Sequence, residues 1–358
     1  MSRVVSAEAI PITFRLIEGY RIAGASFTTA ENVILKVATA DGRTGFGCAA
    51  PAEEVTGETP AACLQALRDR LVPLLRGADS ADIGGILGRC RETAGAAPAA
   101  RAAVDIALHD LLALRAGEPL ARVLGMRRHR LPTSITLGIL DDPAASVASA
   151  LRHVAAGFRI IKVKVGEDWS ADARLLIELR RVLGPEIVLR ADGNQGYTEE
   201  QARRFIEAAR PAALELLEQP TTAADLQTLA RLTRASTVPI MADEPLQTHD
   251  DARRLVEARA ANLVNIKLMK SGGIAEARTI AEITAGAGIG AMVGCMDESR
   301  IGIAAALHFA LAAPNVELAD LDGHLDLADD VARGGVRIEN GYVLPLLDEP
   351  GLGVSVAL

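Results

Sequence analysis

Short apolar segments alternate strictly with amphipathic helical segments from about residue 131 onward. Helical stretches such as Asp172–Leu183, Glu199–Ala209 and Ile274–Ala285 separate successive apolar runs. Such alternation is typical of a parallel sheet whose strands are joined by helical crossovers. Eight strands of this kind predict a barrel of the TIM type. The strand candidates are Ser134–Gly138, Ile160–Val165, Ile187–Asp192, Leu214–Glu218, Pro239–Asp243, Leu263–Lys267, Gly290–Gly294 and Val316–Asp320.

The residues before the barrel follow a different pattern. Val33–Val37 is a β-rich run and Asp41–Gly42 is a turn signal, so the first 50 residues predict antiparallel strands. Residues 60–76 and 98–116 have helical periodicity. Strands followed by helices indicate an α+β module distinct from the barrel. The tail, Val336–Val356, returns to short β segments, and we expect it to fold back on this module.

Composition argues against a nucleic-acid partner. The chain has 38 basic and 46 acidic residues, a net charge of −8 and only 3% aromatic residues. Nucleic-acid-binding proteins typically have a basic stripe, and RNA-binding surfaces add aromatic residues to it; the sequence has neither feature. The basic cluster Arg127–Arg130 could bind phosphate, although a solvated linker is the simpler interpretation.

The chain also lacks the signals of secretion or membrane insertion. Its N-terminus has no apolar signal core, and its four cysteines have no CxxC spacing, which is typical of reduced cytosolic thiols. The longest apolar run, Ile283–Met296, has 14 residues, whereas a membrane-spanning helix needs about 20. We therefore expect a cytoplasmic protein with no membrane partner, and we interpret this run as a helix end followed by a strand.

Three carboxylates and a lysine recur at nearly constant spacing. Asp192, Glu218, Asp243 and Lys267 each end an apolar strand candidate, and successive members are 24 to 26 residues apart. One strand plus its crossover helix takes roughly 30 residues or slightly fewer. Each residue therefore occupies the C-terminal end of a barrel strand, at the mouth where barrel enzymes carry out their chemistry. Three acids converging there indicate a hard divalent cation with oxygen ligands.

Two more lysines lie on the second barrel strand. Lys162 and Lys164 are two residues apart, so both side chains point to the same face of that strand. Because lysines would be costly on the apolar face toward the helices, we expect both in the barrel interior. One interpretation is that they only neutralise the acid cluster. However, strands 2 and 6 are opposite in a ring of eight, so Lys164 and Lys267 would flank a central ligand. Two such amines suit proton removal on one face and delivery on the other, and we expect a nearby metal to lower the lysine pKa.

These residues lie within segments that resemble the enolase superfamily, muconate-lactonising subgroup, across nearly the whole chain. The resemblance implies a modified TIM-type (β/α)7β barrel whose mouth is covered by an N-terminal α+β capping domain completed by the C-terminal tail. We place the capping domain at residues 1–130, the barrel at 131–322 and the tail at 323–358. The matching segments are Ile161–Gly166, Asp192–Tyr197, Leu217–Pro220, Met241–Glu244 and Asn265–Gly273.

The same resemblance implies the roles of the site residues. One Mg²⁺ per subunit would be bound by Asp192, Glu218 and Asp243, and Lys164 and Lys267 would be the acid and base pair. Lys162 would assist the substrate carboxylate electrostatically. Members of this subgroup often assemble into homo-oligomers, which we also expect here.

Asp320–Gly323 narrows the subgroup. This segment ends the eighth strand and is similar to the Asp-x-Asp signature of dipeptide epimerases, in which both acids hold the α-ammonium group of the substrate. A free dipeptide has an ammonium group at one end and a carboxylate at the other, so anions are needed across the mouth from the metal. The alternative is that Asp322 is only a turn residue.

Substrate preference depends on fewer residues. Ala25 lies in a loop where Ala-Glu epimerases have an arginine, and Asp297 replaces a usually apolar residue. With Glu53 and Glu54 in a second capping loop, Asp297 predicts a substrate with a Lys or Arg side chain. The alternative is that Asp297 pairs with Arg300 or faces solvent. Thr136, on the first barrel strand, completes the candidates for substrate contact.

We therefore predict an isomerase: an Mg²⁺-dependent dipeptide epimerase that inverts the α-carbon of the C-terminal residue of an L,L-dipeptide through an enediolate. An alternative is another muconate-subgroup reaction, such as N-succinylamino acid racemisation, o-succinylbenzoate synthesis or muconate cycloisomerisation. A remote alternative is a binding protein that keeps the fold without catalysis.

Overall fold

The computed structural model describes residues 2–358. Its N-terminal part contains a three-stranded antiparallel sheet made of β1 (Val4–Ile22), β2 (Ala25–Thr39) and β3 (Thr44–Ala49). The ladder between β1 and β2 continues to the pair Ile22–Ala25, so only Ala23 and Gly24 form the turn. The expected loop near residue 25 is therefore the tip of a long hairpin. Gly24 adopts a φ of 82° there, a conformation that glycine tolerates best.

Helices pack against one face of this sheet. The longest, α5 (Pro98–Ala116), lies directly on β3, where Gly45 and Gly47 allow the two backbones to approach each other. The N-terminus of α5 is closed by the buried Glu58 carboxylate, which accepts the N–H group of Ala99 at 2.7 Å. The helical segments are α1 (Glu53–Thr56), α2 (Pro60–Gln65), a π-helical turn (Ala66–Leu71), α3 (Val72–Leu75), α4 (Ile83–Ala94), α5 (Pro98–Ala116) and α6 (Leu120–Val123).

Eight parallel strands form the predicted barrel. The ring is completed between its first and last strands, where Thr133 bridges Ala319 and the Ser134 N–H group donates to the Ala319 carbonyl at 3.1 Å. A short antiparallel strand, β4 (Leu131–Pro132), precedes it. The barrel strands are β5 (Ile135–Leu137), β6 (Ile160–Lys164), β7 (Val188–Asp192), β8 (Leu216–Glu218), β9 (Ile240–Ala242), β10 (Leu263–Ile266), β11 (Gly290–Gly294) and β12 (Val316–Asp320).

Each connection between neighbouring barrel strands contains a helix of at least ten residues, which gives the predicted (β/α)7β arrangement. Several begin at side-chain caps; Thr198, for example, forms a capping box with Gln201. The run Ile283–Met296 contains the end of α13 (Ile274–Gly286) followed by β11, as predicted. These helices are α7 (Pro143–Ala155), α8 (Trp169–Leu183), α9 (Glu199–Ala208), α10 (Leu226–Ala235), α11 (His249–Ala258), α13 (Ile274–Gly286), preceded by the short α12 (Leu268–Ser271), and α14 (Arg300–Ala312).

The segment after β12 returns to the N-terminal part. It contains β13 (Ala332–Gly334), β14 (Val336–Glu339), β15 (Tyr342–Pro345) and β16 (Val354–Val356), and β15 pairs with β4. The Leu352 N–H group donates to Asp110 of α5 at 2.9 Å, and Gly351 accepts from Leu120 of α6 at 2.8 Å. In residues 2–358, no helix combines the length and apolarity required to cross a membrane.

Candidate active site

The C-terminal ends of the barrel strands bring the predicted acids and lysines to one mouth. The parallel register places Lys164 beside Asp192 and Asp192 beside Glu218, so these residues lie at the same height on β6, β7 and β8. Asp192, Glu218 and Asp243 are all completely buried. Because buried carboxylates are costly without a compensating charge, the arrangement requires cations nearby.

Lys162 supplies one of these charges inside the barrel. Its Nζ lies 3.0 Å from Asp192, 2.9 Å from Glu218 and 2.7 Å from Asp320. Burial alone would lower the pKa of Lys162, but the three carboxylates together raise it well above its usual value. Lys162 is therefore a fixed positive charge between the acid cluster and the end of β12.

Lys164 and Lys267 approach the cluster from opposite sides. Lys164 Nζ lies 2.8 Å from Asp192 Oδ2, and Lys267 Nζ lies 2.8 Å from Asp243 Oδ2. Lys164 ends β6 and Lys267 directly follows β10, and these strands are four positions apart in a ring of eight. The arrangement leaves the centre of the mouth between two amines.

The pKa of Lys267 differs from our expectation. Burial acts to lower it, but the carboxylates of Asp243 and Glu218 outweigh burial, so the pKa of Lys267 is raised rather than lowered. A neutral Lys267 amine therefore requires that the charge of these carboxylates be compensated by something other than the lysine itself.

Two further residues hold the carboxylates, and sequence reasoning gave them no role. Asn265 Nδ2 donates to Glu218 Oε1 at 2.8 Å. Lys270, completely enclosed on α12, donates to Asp243 Oδ1 and, at 3.0 Å, to the Asn265 carbonyl. Both lie in the segment Asn265–Gly273 quoted above. The sequence feature that marks Lys270 is a second lysine, three residues after Lys267, in a mostly apolar turn.

The two aspartates at the end of β12 differ in their partners. Both oxygens of Asp320 are engaged, one by Lys162 and the other by Ser134 Oγ at 2.7 Å. Asp322 Oδ2 accepts the Thr136 N–H group at 2.7 Å, whereas the only donor to Oδ1 within residues 2–358 is the Cys295 thiol, at 3.9 Å. Burial and repulsion from Asp320 raise the pKa of Asp322 to about 7. Asp322 therefore keeps one oxygen free to accept a ligand donor.

A cavity of about 510 Å³ lies between the barrel mouth and the antiparallel sheet of β1, β2 and β3, here called the capping sheet. The side chains predicted to contact substrate line it, with the exception of Ala25. Ala25 lies beside the hairpin turn, and Ile22 and Ser26 contribute to the lining instead. The predicted residues in the lining are Lys162, Lys164, Lys267, Asp320, Asp322, Asp297, Thr136, Glu53 and Glu54.

Asp297 does not pair with Arg300. Arg300 donates to the carbonyls of Gly334 and Val336, whereas Asp297 Oδ2 accepts the Tyr20 hydroxyl at 2.7 Å. Burial raises the pKa of Asp297, and the Tyr20 hydrogen bond opposes this rise. The Asp297 carboxylate therefore borders the cavity in a position fixed by its hydrogen bond to Tyr20. Sequence reasoning missed Tyr20, since nothing local links it to a residue 277 positions away.

Comparison with known proteins decides the family. The model of the mandelate racemase/muconate lactonizing enzyme N-terminal domain matches residues 11–125, and that of the enolase C-terminal domain-like family matches residues 145–357. The chain belongs to the mandelate racemase/muconate lactonizing enzyme family. The L-Lys-D/L-Arg epimerase of Methylococcus capsulatus is 44% identical over 342 residues, which cover 95% of this chain and 96% of that protein.

Solved structures of this family have the same fold. A dipeptide epimerase from Methylococcus capsulatus, complexed with Mg and L-Arg-D-Lys, is 43% identical, with a TM-score of 0.93 over 99% of this chain and 100% of that chain. A dipeptide epimerase from Enterococcus faecalis V583, complexed with Mg and L-Leu-L-Tyr, is 36% identical, with a TM-score of 0.95 over 99% of both chains.

The muconate-family site has the donors for a hard cation. Asp192, Glu218 and Asp243 offer carboxylate oxygens, and the buried Asn194 Oδ1 has no hydrogen-bond donor among residues 2–358. Lysine ammonium groups lie between the three acids, and in this arrangement no three His, Cys, Asp or Glu residues of the described chain surround a single metal position. An oxygen-ligated divalent cation nevertheless fits this donor set, because it would balance the same buried charges that the lysines now balance.

Proposed function

We propose that this protein is an Mg²⁺-dependent dipeptide epimerase that inverts the α-carbon of the C-terminal residue of an L,L-dipeptide. The observation that carries the proposal is the pairing of two features at one mouth. Lys164 and Lys267 face each other across buried carboxylates, and Asp320 and Asp322 lie on the same cavity. The similar proteins described above support it, because one is named an L-Lys-D/L-Arg epimerase and two are dipeptide epimerase structures complexed with Mg and a dipeptide.

The two lysines would exchange the α-proton from opposite faces of the substrate. One amine takes the proton from the α-carbon, the other ammonium delivers a proton to the opposite face, and the roles reverse in the opposite direction. Mg²⁺, held by Asp192, Glu218 and Asp243, would supply electrostatic stabilisation of the negative charge that develops on the substrate carboxylate. Lys162 adds a fixed positive charge beside it.

The ammonium group of the dipeptide would bind at the end of β12. Asp322 Oδ1 is the available acceptor, while Asp320 is balanced by Lys162 and fixed by Ser134. An N-acylated amino acid or a dicarboxylate offers no ammonium group to this pair. This difference favours a dipeptide over the other reactions of the muconate subgroup.

The electrostatics of the cavity favour a cationic side chain on the dipeptide. Among residues 2–358, eight carboxylate residues line the cavity against three lysines, and three of the eight, Glu18, Glu31 and Asp326, were not predicted. Burial raises the pKa of Asp326, and repulsion from Asp322 and Asp297 adds to the rise, which brings the pKa to about 8. A Lys or Arg side chain would relieve this repulsion, so we propose cationic dipeptides as the preferred substrates.

The test is α-proton exchange in deuterated water. Libraries of L,L-dipeptides are incubated with protein and Mg²⁺, and a mass gain of one unit, together with formation of the L,D epimer, reports turnover. We expect the gain in Lys- and Arg-containing dipeptides and its loss on removal of Mg²⁺ by a chelator.

Three other outcomes would revise the proposal. Exchange only in Ala-Glu or apolar dipeptides would keep the reaction and remove the cationic preference. Exchange only in N-succinylamino acids would favour the racemase alternative, and exchange in none of these compounds would favour a binding protein.

Homo-oligomeric assembly and a cytoplasmic location also remain part of the proposal.

A further inference from the structure

The capping sheet holds the loop after β11 at two points. The Tyr20 hydroxyl donates to the Asp297 carboxylate at 2.7 Å, and Asn32 Nδ2 donates to the Asp297 carbonyl at 2.9 Å. Asn32 Oδ1 also accepts the Ser299 N–H group at 3.0 Å, and Asn32 is buried. Asn32 fixes the backbone of the loop, and Tyr20 alone fixes the carboxylate.

Tyr20 is itself immobilised by its surroundings. The register of the β1–β2 ladder shifts between Arg15 and Tyr20, which brings Tyr20 opposite Phe27, and the two rings pack 5.3 Å apart. On the other side, any Cβ atom on Gly138 would lie 2.6 Å from Tyr20 Cβ. The hairpin is also attached to the barrel there, because the Ile139 N–H group donates to the Arg21 carbonyl at 2.8 Å. The hydroxyl therefore has a defined position with little rotational freedom left to lose.

This contact determines how Asp297 meets a ligand. Among the described residues, only Oδ2 of the Asp297 carboxylate has a hydrogen-bond donor, namely Tyr20, and Asp297 lines the cavity. The other oxygen, Oδ1, is the one left for a ligand. A carboxylate held at one oxygen presents the other in a fixed direction, which is what recognition of an ammonium or guanidinium group requires.

We infer that Tyr20 is a positioning residue that selects for cationic dipeptides by orienting Asp297. The inference rests on the proposed function. Tyr20 acts through Asp297 rather than on the reacting atoms, so its removal weakens binding of cationic substrates and leaves proton transfer at Lys164 and Lys267 intact.

The experiment is a double-mutant cycle read out on two substrates. Tyr20→Phe, Asp297→Ala and the double variant are compared for kcat and KM with a Lys-containing dipeptide and with the most active uncharged dipeptide. For Tyr20→Phe we expect kcat/KM to fall about tenfold for the Lys-containing dipeptide, mainly through a higher KM. A fall of this size corresponds to the loss of one hydrogen bond to a charged group. The uncharged dipeptide should change less than about twofold. In the Asp297→Ala background, Tyr20→Phe should have no further effect.

A matched control is Tyr342→Phe, since that ring packs under Arg130 and does not line the cavity. It should leave both substrates unchanged. An equal loss for both substrates in Tyr20→Phe, or an additive loss in the double variant, would overturn the inference while leaving the proposed function intact. A wild-type protein that epimerises only uncharged dipeptides would instead refute the cationic preference itself, and the role of Tyr20 with it.

Discussion

At the scale of single residues, strand periodicity predicted where the lysines point. Two lysines on one face of an apolar strand can only be accommodated inside the barrel, and Lys162 and Lys164 are found there. The catalytic and metal-binding roles of the lysines and acids remain predictions. Tyr20 and Lys270 could not be assigned a role from sequence, since each depends on a contact that exists only after the chain folds.

The two-base mechanism predicts the behaviour of Lys164→Ala and Lys267→Ala. Each should lower the epimerisation rate by about 10²- to 10⁴-fold, because this is what one general acid or base typically contributes. Each variant should still exchange the α-proton of one epimer, since the remaining lysine reaches one face. Chiral chromatography and deuterium incorporation, measured separately on the L,L and L,D forms, test this. Lys36→Ala, an exposed side chain on β2, is the control. Normal epimerisation by either active-site variant would contradict the mechanism.

At the scale of elements, alternation of apolar and helical segments predicted every barrel strand but not its limits. Asp243 and Lys267 were placed at strand ends, whereas the paired segments stop one residue earlier, at Ala242 and Ile266. The hydrogen bonds of these last residues are with side chains and loops, which local patterns do not specify. The hairpin tip was expected to be a loop, but the β1–β2 ladder continues into it. The tip also bonds to the barrel, and such tertiary contacts are not visible in a local pattern.

Two glycine substitutions, one at the contact between β3 and α5 and one on α4, should have opposite effects on stability. A Cβ atom on Gly47 would lie 1.8 Å from the Ala103 carbonyl oxygen, and this neighbour is backbone that cannot rotate away. Gly47→Ala should therefore lower the free energy of unfolding by about 3 kcal/mol. Gly88→Ala, on exposed α4 with no atom within 4 Å of the new Cβ, should raise it by about 0.5–1 kcal/mol. Urea unfolding measures both, and a neutral Gly47→Ala would contradict the close approach.

At the scale of the whole molecule, residues distant in sequence join the capping sheet, the barrel and the tail. Asp110 of α5 accepts N–H groups from Phe46 of β3 and Leu352 of the tail, both at 2.9 Å. His308 of α14 accepts the Ala121 N–H group of α6 at 2.9 Å, through Nδ1. The pattern of strands predicted that the tail returns, but the residues that join it could not be predicted from a linear pattern. The domain limits at residues 130 and 322 remain predictions.

The His308 contact predicts a pH dependence of stability. Burial lowers the pKa of His308 from 6.5 to about 4, so in this window the unfolded chain binds a proton that the folded chain excludes. The neutral imidazole therefore contributes stability above pH 6.5, and up to about 3 kcal/mol is lost as the pH falls toward 4. His308→Asn, whose amide oxygen can replace Nδ1 as acceptor, should flatten the decrease in the free energy of unfolding between pH 6.5 and 4.

The control for this prediction is the exposed His129. His129→Asn should keep the wild-type dependence on pH in urea unfolding at pH 4.5, 5.5 and 7. If His308→Asn showed the same slope as wild type, proton exclusion by His308 would not be the cause.

The bonds between the tail and the capping region also order events during synthesis. Asp110 and Leu120 emerge from the ribosome more than 200 residues before Leu352 and Gly351, their hydrogen-bond partners. One oxygen of the buried Asp110 carboxylate stays without its hydrogen bond until Leu352 has been synthesised. The whole barrel is translated in the interval. The nascent N-terminal region is therefore exposed to chaperones for most of translation, and a stalled ribosome would release a chain whose cap is incomplete.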